Sequence, residues 1–192
     1  MRIEGLRAVV AMSPVGGGTL AAWGAQGLGD LAVPVLLIAG DHDRTVDYLS
    51  GARAIFDEAV QAPRYLLTFE GAGHSIGMNP APAEMRARLW DQDWFEDPVW
   101  RKERINAVEA HFISAFLDRY VKGDRSRTPY LEVPQAQSSA GTWPPAVAPT
   151  AYDAVSPGAP TDSVWKGFQR KHAEGLTLLR ADAAGGKGAP TR

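Results

Sequence analysis

The chain has 192 residues, 45% of them hydrophobic and 22% charged, with a formal net charge of -2. This suits a folded domain with a core of its own and offers no basic footprint for nucleic acid or an anionic membrane surface. The absence of cysteine excludes disulfides, thiolate metal sites and a cysteine nucleophile, and leaves the compartment open.

Residues 7–13, Arg7 to Ser13, read as a buried strand that Ser13 and Pro14 stop early. A strand so near Met1 leaves no room for a secretory leader, so the chain as it stands reads as cytoplasmic, and no apolar run approaches a membrane span. Residues 14–30 carry Gly16, Gly17 and Gly18 and little periodicity, which predicts a loop with at most a short helix. A second buried strand is expected over 34–40 and a third over 64–69. Between them Tyr48, Ala52, Ile55, Phe56 and Ala59 recur at helical spacing, predicting one amphipathic helix over 48–60 with Asp47 as N-cap.

Residues 78–100 are irregular and rich in tryptophan, with Trp90, Trp94 and Trp100. From Arg101 to Lys122 the stripe of Ile105, Val108, Phe112, Phe116 and Tyr120 predicts a long helix that Gly123 ends. Residues 131–160 hold six of the 14 prolines and are expected to be extended and poorly packed. Trp165 to Phe168 and Leu176 to Leu179 are expected to be ordered, the latter as a short strand, and 183–192 to be a disordered tail. The expected class is α/β, a mostly parallel sheet of about three core strands with covering helices. The expected organisation is a partial domain over 1–123, a Pro-rich extension over 124–182 with its short ordered element, and the tail.

Chemistry-bearing residues gather where the second and third strands end. Asp41, His42 and Asp43 follow Gly40, and Gly71, Ala72, Gly73 and His74 follow the strand that ends near Glu70. The carboxyl edge of a parallel sheet is where such folds bind and react. Asp43 is the candidate acid: an ionised, fixed carboxylate can hold an imidazole in one tautomer. Its plain alternative, shared with Asp41, is to shape the turn before the next helix. His74 is the candidate general base, since imidazole shuttles protons near neutral pH and the flanking glycines let the loop carry it toward a pocket. His42, His111 and His172 have no such setting, and His111, beside the apolar stripe, reads as structural.

Gly73 to Gly77 matches G-x-S-x-G with Ser75 at its centre. A nucleophile elbow needs a strand, a sharp turn and a helix at once, and Pro80 and Pro82 forbid that helix. Ser13 has no elbow sequence either, so the nucleophile is expected outside this chain. A metal held by Asp41, His42, Asp43 and His74 is a weaker alternative without a supporting spacing motif. Neither a cofactor nor a metal is expected.

These residues resemble α/β-hydrolases. Val33 to Asp43 is similar to the family's acid-bearing strand and loop, Gly71 to His74 to its histidine loop, and Arg7 to Pro14 to the strand after the elbow helix. The helix ending at Ala115 to Gly123 resembles the closing helix of the dienelactone-hydrolase-like and acetylhydrolase-like branch. Trp165 to Phe168 resembles a carboxyl-terminal element of some members. The resemblance implies a serine hydrolase of carboxylic esters or related acyl compounds, with Asp43 as triad acid and His74 as base. It further implies that the first strands, oxyanion-hole loop and elbow serine lie upstream of Met1, making this chain similar to the carboxyl-terminal half of such an enzyme. On that reading the tryptophan-rich 90–100 region walls an acyl pocket and the substrate is a small-molecule ester. The alternative is a non-catalytic half-domain whose exposed sheet edge pairs with an amino-terminal half or with a second copy.

Overall fold

A computed structural model describes residues 3–17, 23–87, 94–142, 163–169 and 172–184. Four strands, β1 (Val9–Met12), β2 (Val35–Gly40), β3 (Arg64–Phe69) and β4 (Leu176–Ala181), form one sheet in that order. The first three are parallel, with Val9 opposite Val35 and Val35 opposite Arg64. β4 runs antiparallel to β3, with Leu176 opposite Phe69. The fold is therefore α/β as expected, but the sheet is mixed and four-stranded. The apolar run after Leu176 joins the sheet instead of standing apart from it.

β2 explains why its sequence is a continuous apolar run: all six of its residues are buried. Successive side chains of a strand point to opposite faces. Leu36 and Ile38 pack with Phe112 and Phe116 on one side of the sheet, while Val35, Leu37 and Ala39 pack with Ile55 and Phe56 on the other. The Phe112 side is supplied by the long helix, α3 (Lys102–Tyr120), whose predicted stripe is the face it buries. Gly123 takes φ +78° just beyond it, the left-handed conformation that suits glycine at a helix end.

The other face differs from its expectation. A five-residue helix α1 (Ala25–Gly29) is present, but 48–60 is not one helix: a π-helical turn at Leu49–Arg53 precedes α2 (Ala54–Glu58). Gly51 leaves helical geometry at φ -100°, ψ -106°. The loop after β1 comes close at this point: a Cβ at Gly51 would lie 2.7 Å from the Pro14 carbonyl oxygen, an approach that glycine permits. The N-cap position of this turn falls on Tyr48 and not on the expected Asp47, although Asp47 Oδ1 still accepts the Ser50 N–H at 2.8 Å.

The start of the Pro-rich stretch is better packed than its composition suggests. A short helix α4 (Thr128–Leu131) and a 3₁₀ turn at Ser138–Ala140 bury Leu131 and Ser138. Trp165, fully buried beside Phe112 and Phe168, donates its indole N–H to the Gln135 carbonyl at 2.9 Å and so fastens this segment to the core. Residues 143–162 of that stretch lie outside the described residues, as do 185–192 of the predicted tail; Ala184 pairs with the Val60 carbonyl at 2.7 Å. No helix among the described residues is long and apolar enough to cross a membrane.

Candidate active site

Parallel pairing makes β2 and β3 end level, Gly40 opposite Phe69, so the loops that follow leave the sheet side by side. They touch at Gly40, where a Cβ would come within 2.2 Å of the Ala72 carbonyl oxygen; only glycine permits that approach. The contact is tied twice more. His42 donates its N–H to the Ala72 carbonyl at 3.0 Å, and Asp41 Oδ1 accepts the Gly71 N–H at 2.6 Å. Asp41 is thus a brace between the two loops.

This bracing brings Asp43 and His74 together. His74 Nδ1 lies 2.7 Å from Asp43 Oδ2, with the Asp43 side chain 1% exposed and the His74 ring 33% exposed. A carboxylate can only accept, so Nδ1 carries the proton and neutral His74 keeps Nε2 as its acceptor. Among the described residues Nε2 has no hydrogen-bond partner. The other Asp43 oxygen accepts the N–H groups of Thr45 and Val46 at 2.9 and 3.0 Å. One Asp43 oxygen thus shapes the turn and the other meets the imidazole.

The His74 ring lines a cleft of about 550 Å³ shared with His42, Arg44, Ser75, Trp94 and Val99. Of the three tryptophans expected to form a wall, Trp94 stands at this cleft and is 64% exposed. Trp100 is instead a core residue, packed edge-on against Phe69 with its indole N–H on the Glu70 carbonyl at 2.9 Å. Trp90 lies outside the described residues.

Ser75 occupies a 3₁₀ turn, His74–Gly77, that passes directly into extended chain at Met78. Its buried hydroxyl donates to Asp97 Oδ2 at 3.3 Å. The strand–turn–helix frame of an elbow is not there. Ser13, at the carboxyl end of β1, is a different case: it has φ +41°, the one positive φ outside glycine among the described residues, and its buried Oγ has no partner. Such a backbone costs energy and is uncommon away from functional or tightly packed sites. No three His, Asp or Glu side chains among the described residues gather in a way that could hold a metal ion.

Sequence reasoning missed three residues beside the histidine turn. Asp97 Oδ2 accepts the Gly73 N–H at 2.8 Å, while its Oδ1 accepts those of Val99 and Trp100 at 2.9 and 2.8 Å. Lys102, only 3% exposed, donates to the Ser75 carbonyl at 2.6 Å and the Met78 carbonyl at 3.2 Å. Burial holds its pKa below the usual lysine range, opposed by Glu96, Glu109 and Asp97. Glu109, one heptad along α3, is buried and pushed up to about 7 by desolvation. The signal was available: Lys102, Ile105, Glu109, Phe112 and Phe116 follow one another at spacings of three and four, the stripe that faces a core. His111 is half-buried against Phe112, Tyr130 and Phe168, and the desolvation lowers its pKa.

No protein-family model matches the chain, and no curated protein shows significant similarity to it.

Proposed function

We propose that the chain carries the acid and the base of a serine hydrolase acting on carboxylic esters or related acyl substrates, with the nucleophile supplied by polypeptide outside it. The observation that carries this reading is the Asp43–His74 pair, with a buried carboxylate on Nδ1 and, beside a cleft, an Nε2 that has no partner among the described residues. That arrangement suits an imidazole that takes a proton at Nε2 while the carboxylate stabilises the imidazolium at Nδ1. In this mechanism Nε2 removes the hydroxyl proton as the serine attacks the ester carbonyl, then returns it to the leaving alcohol. Water repeats the cycle to release the acid. Trp94 and Val99 offer apolar surface for the acyl group.

The test is intact-mass analysis after treatment with a serine-directed fluorophosphonate. The folded chain alone is expected to remain unlabelled. Co-produced with the polypeptide encoded directly upstream, it is expected to support labelling of a serine there, and His74→Ala is expected to abolish that label. An adduct on Ser75, or a label indifferent to His74, overturns the reading. An adduct on Ser13 that disappears in His74→Ala would move the nucleophile into this chain and overturn the two-segment part of it.

A second reading has its own observation. β1 is an edge strand, and Ile3, Leu6, Met12 and Val15 around it are exposed. An unpaired apolar edge is a surface for strand pairing, so the chain could serve as a half-domain that binds a partner. A strictly monomeric chain that binds no apolar dye counts against this.

A further inference from the structure

Besides Asp43, the histidine turn is held by groups that no catalytic scheme requires. Asp97 fills its carboxylate with four protein donors: the Gly73 N–H and Ser75 hydroxyl on Oδ2, and the Val99 and Trp100 N–H groups on Oδ1. It therefore links the residue on either side of His74 to the start of the segment leading into α3. Lys102, from the first turn of α3, carries its ammonium into the core and donates to the carbonyls of Ser75, inside the 3₁₀ turn, and Met78, just after it. A buried ammonium is costly to desolvate and persists only when its donors are satisfied. Its location under a four-residue turn is a specific arrangement, not a surface accident. Neighbouring His74 are thus an anionic clamp on one N–H and one hydroxyl, and a cationic clamp on two carbonyls.

We propose that Asp97 and Lys102 are positioning residues for His74: together they fix the turn so that Nδ1 stays on Asp43 and Nε2 stays at the cleft. The inference rests on the proposed function for its purpose, but its geometry is separately testable. It also gives the Gly73–Gly77 motif a physical role. Ser75 sits in the turn as a hydroxyl donor to the clamp, and Gly73 as an N–H donor to it.

The experiment is NMR on the full chain, reading the Gly73 amide exchange rate and the His74 Nδ1–H resonance. In the wild type the Gly73 amide is expected to exchange at least about tenfold slower than a free-chain amide, because its hydrogen bond must open first. Asp97→Asn turns an acceptor into a donor facing two donors, and Lys102→Met leaves two carbonyls unserved. Each is expected to remove most of the His74 Nδ1–H signal by exchange, and Asp97→Asn to abolish the Gly73 protection, while far-UV circular dichroism stays that of the fold. If both variants keep the resonance at wild-type position and width, the clamp does not position His74. If the variants fail to fold, Ser75→Ala and the wild-type Gly73 rate decide: an unprotected Gly73 amide overturns the proposal. A protected Gly73 amide with no slowly exchanging His74 signal in the wild type removes the Asp43–His74 pair, and with it the proposed function, and leaves Asp97 as a brace with no histidine to position.

Discussion

Glu109→Gln should make the protein more stable at alkaline pH and leave it unchanged in acid. Glu109 lies on the core face of α3, 7% exposed, with Oε1 lacking a hydrogen-bond partner among the described residues. Burial raises its pKa from 4.5 to about 7, against the pull of Lys102. The folded chain therefore keeps this proton to about pH 7, whereas the unfolded chain releases it near 4.5. Between those values the folded state binds more protons, so stability falls as pH rises. The contribution is complete below the unfolded value and lost as pH passes through the folded one. At about 1.4 kcal/mol per pH unit the gap corresponds to about 3 kcal/mol. Solvent reaching the site reduces this to roughly 2 kcal/mol. Glutamine keeps the shape and removes the ionisation. Thermal unfolding followed by circular dichroism should give coincident wild-type and variant midpoints near pH 4.5, separating by about 4–8 °C at pH 8. Parallel curves would refute the reasoning, and a variant less stable than wild type at pH 8 would mean that Glu109 is ionised and well served by Lys102.

His111 predicts the opposite slope. Burial lowers its pKa from 6.5, so the unfolded chain binds more protons below that value and stability present above it is lost as pH falls; His111→Gln should flatten the acid limb of the same melting series. Gly40→Ala would drive a Cβ to 2.2 Å from the Ala72 carbonyl oxygen, lowering stability by about 1–3 kcal/mol. Because the displaced backbone carries His74, urea unfolding should shift and the His74 Nδ1–H signal should weaken together; a shift in stability with that signal untouched would show that the two loops do not depend on each other.

What the sequence made legible was whatever depended on local pattern. The apolar runs at 34–40 and 64–69 suit strands buried on both faces, and two such strands in parallel end on the same edge, which puts Asp43 and His74 in neighbouring loops. The kink at Gly51 was not legible, since the helical spacing of 48–60 runs straight through it and its close neighbour, the Pro14 carbonyl, is distant in sequence. Nor was the direction of β4, since pairing with β3 joins Leu176 to Phe69 across a separation that no local signal spans. The packing of 124–142 was hidden for a similar reason: prolines and polar residues advertise a loop, while the aromatic anchor that orders it, Trp165, comes later in the chain.

The charged residues of the site divide along the same line. Asp43 and His74 could be found because each follows an apolar run by a few residues, so strand geometry alone delivers them. Asp97 and Lys102 reach the site from an irregular segment and from the first turn of a helix, and only the packing of α3 against the sheet brings them under the histidine turn. Lys102 still left a trace in the stripe it shares with Ile105, Glu109, Phe112 and Phe116. A lysine or glutamate at a core position in such a stripe is either an error in the assigned face or a charge with a buried task. Here the first turn of α3 lies against Ser75 and Met78, so the ammonium meets carbonyls instead of solvent. The Asp43–His74 pair belongs to the sheet, but the stiffness of the turn that carries His74 belongs to the helix, and the two can be separated by substitutions on α3 that touch neither residue of the pair.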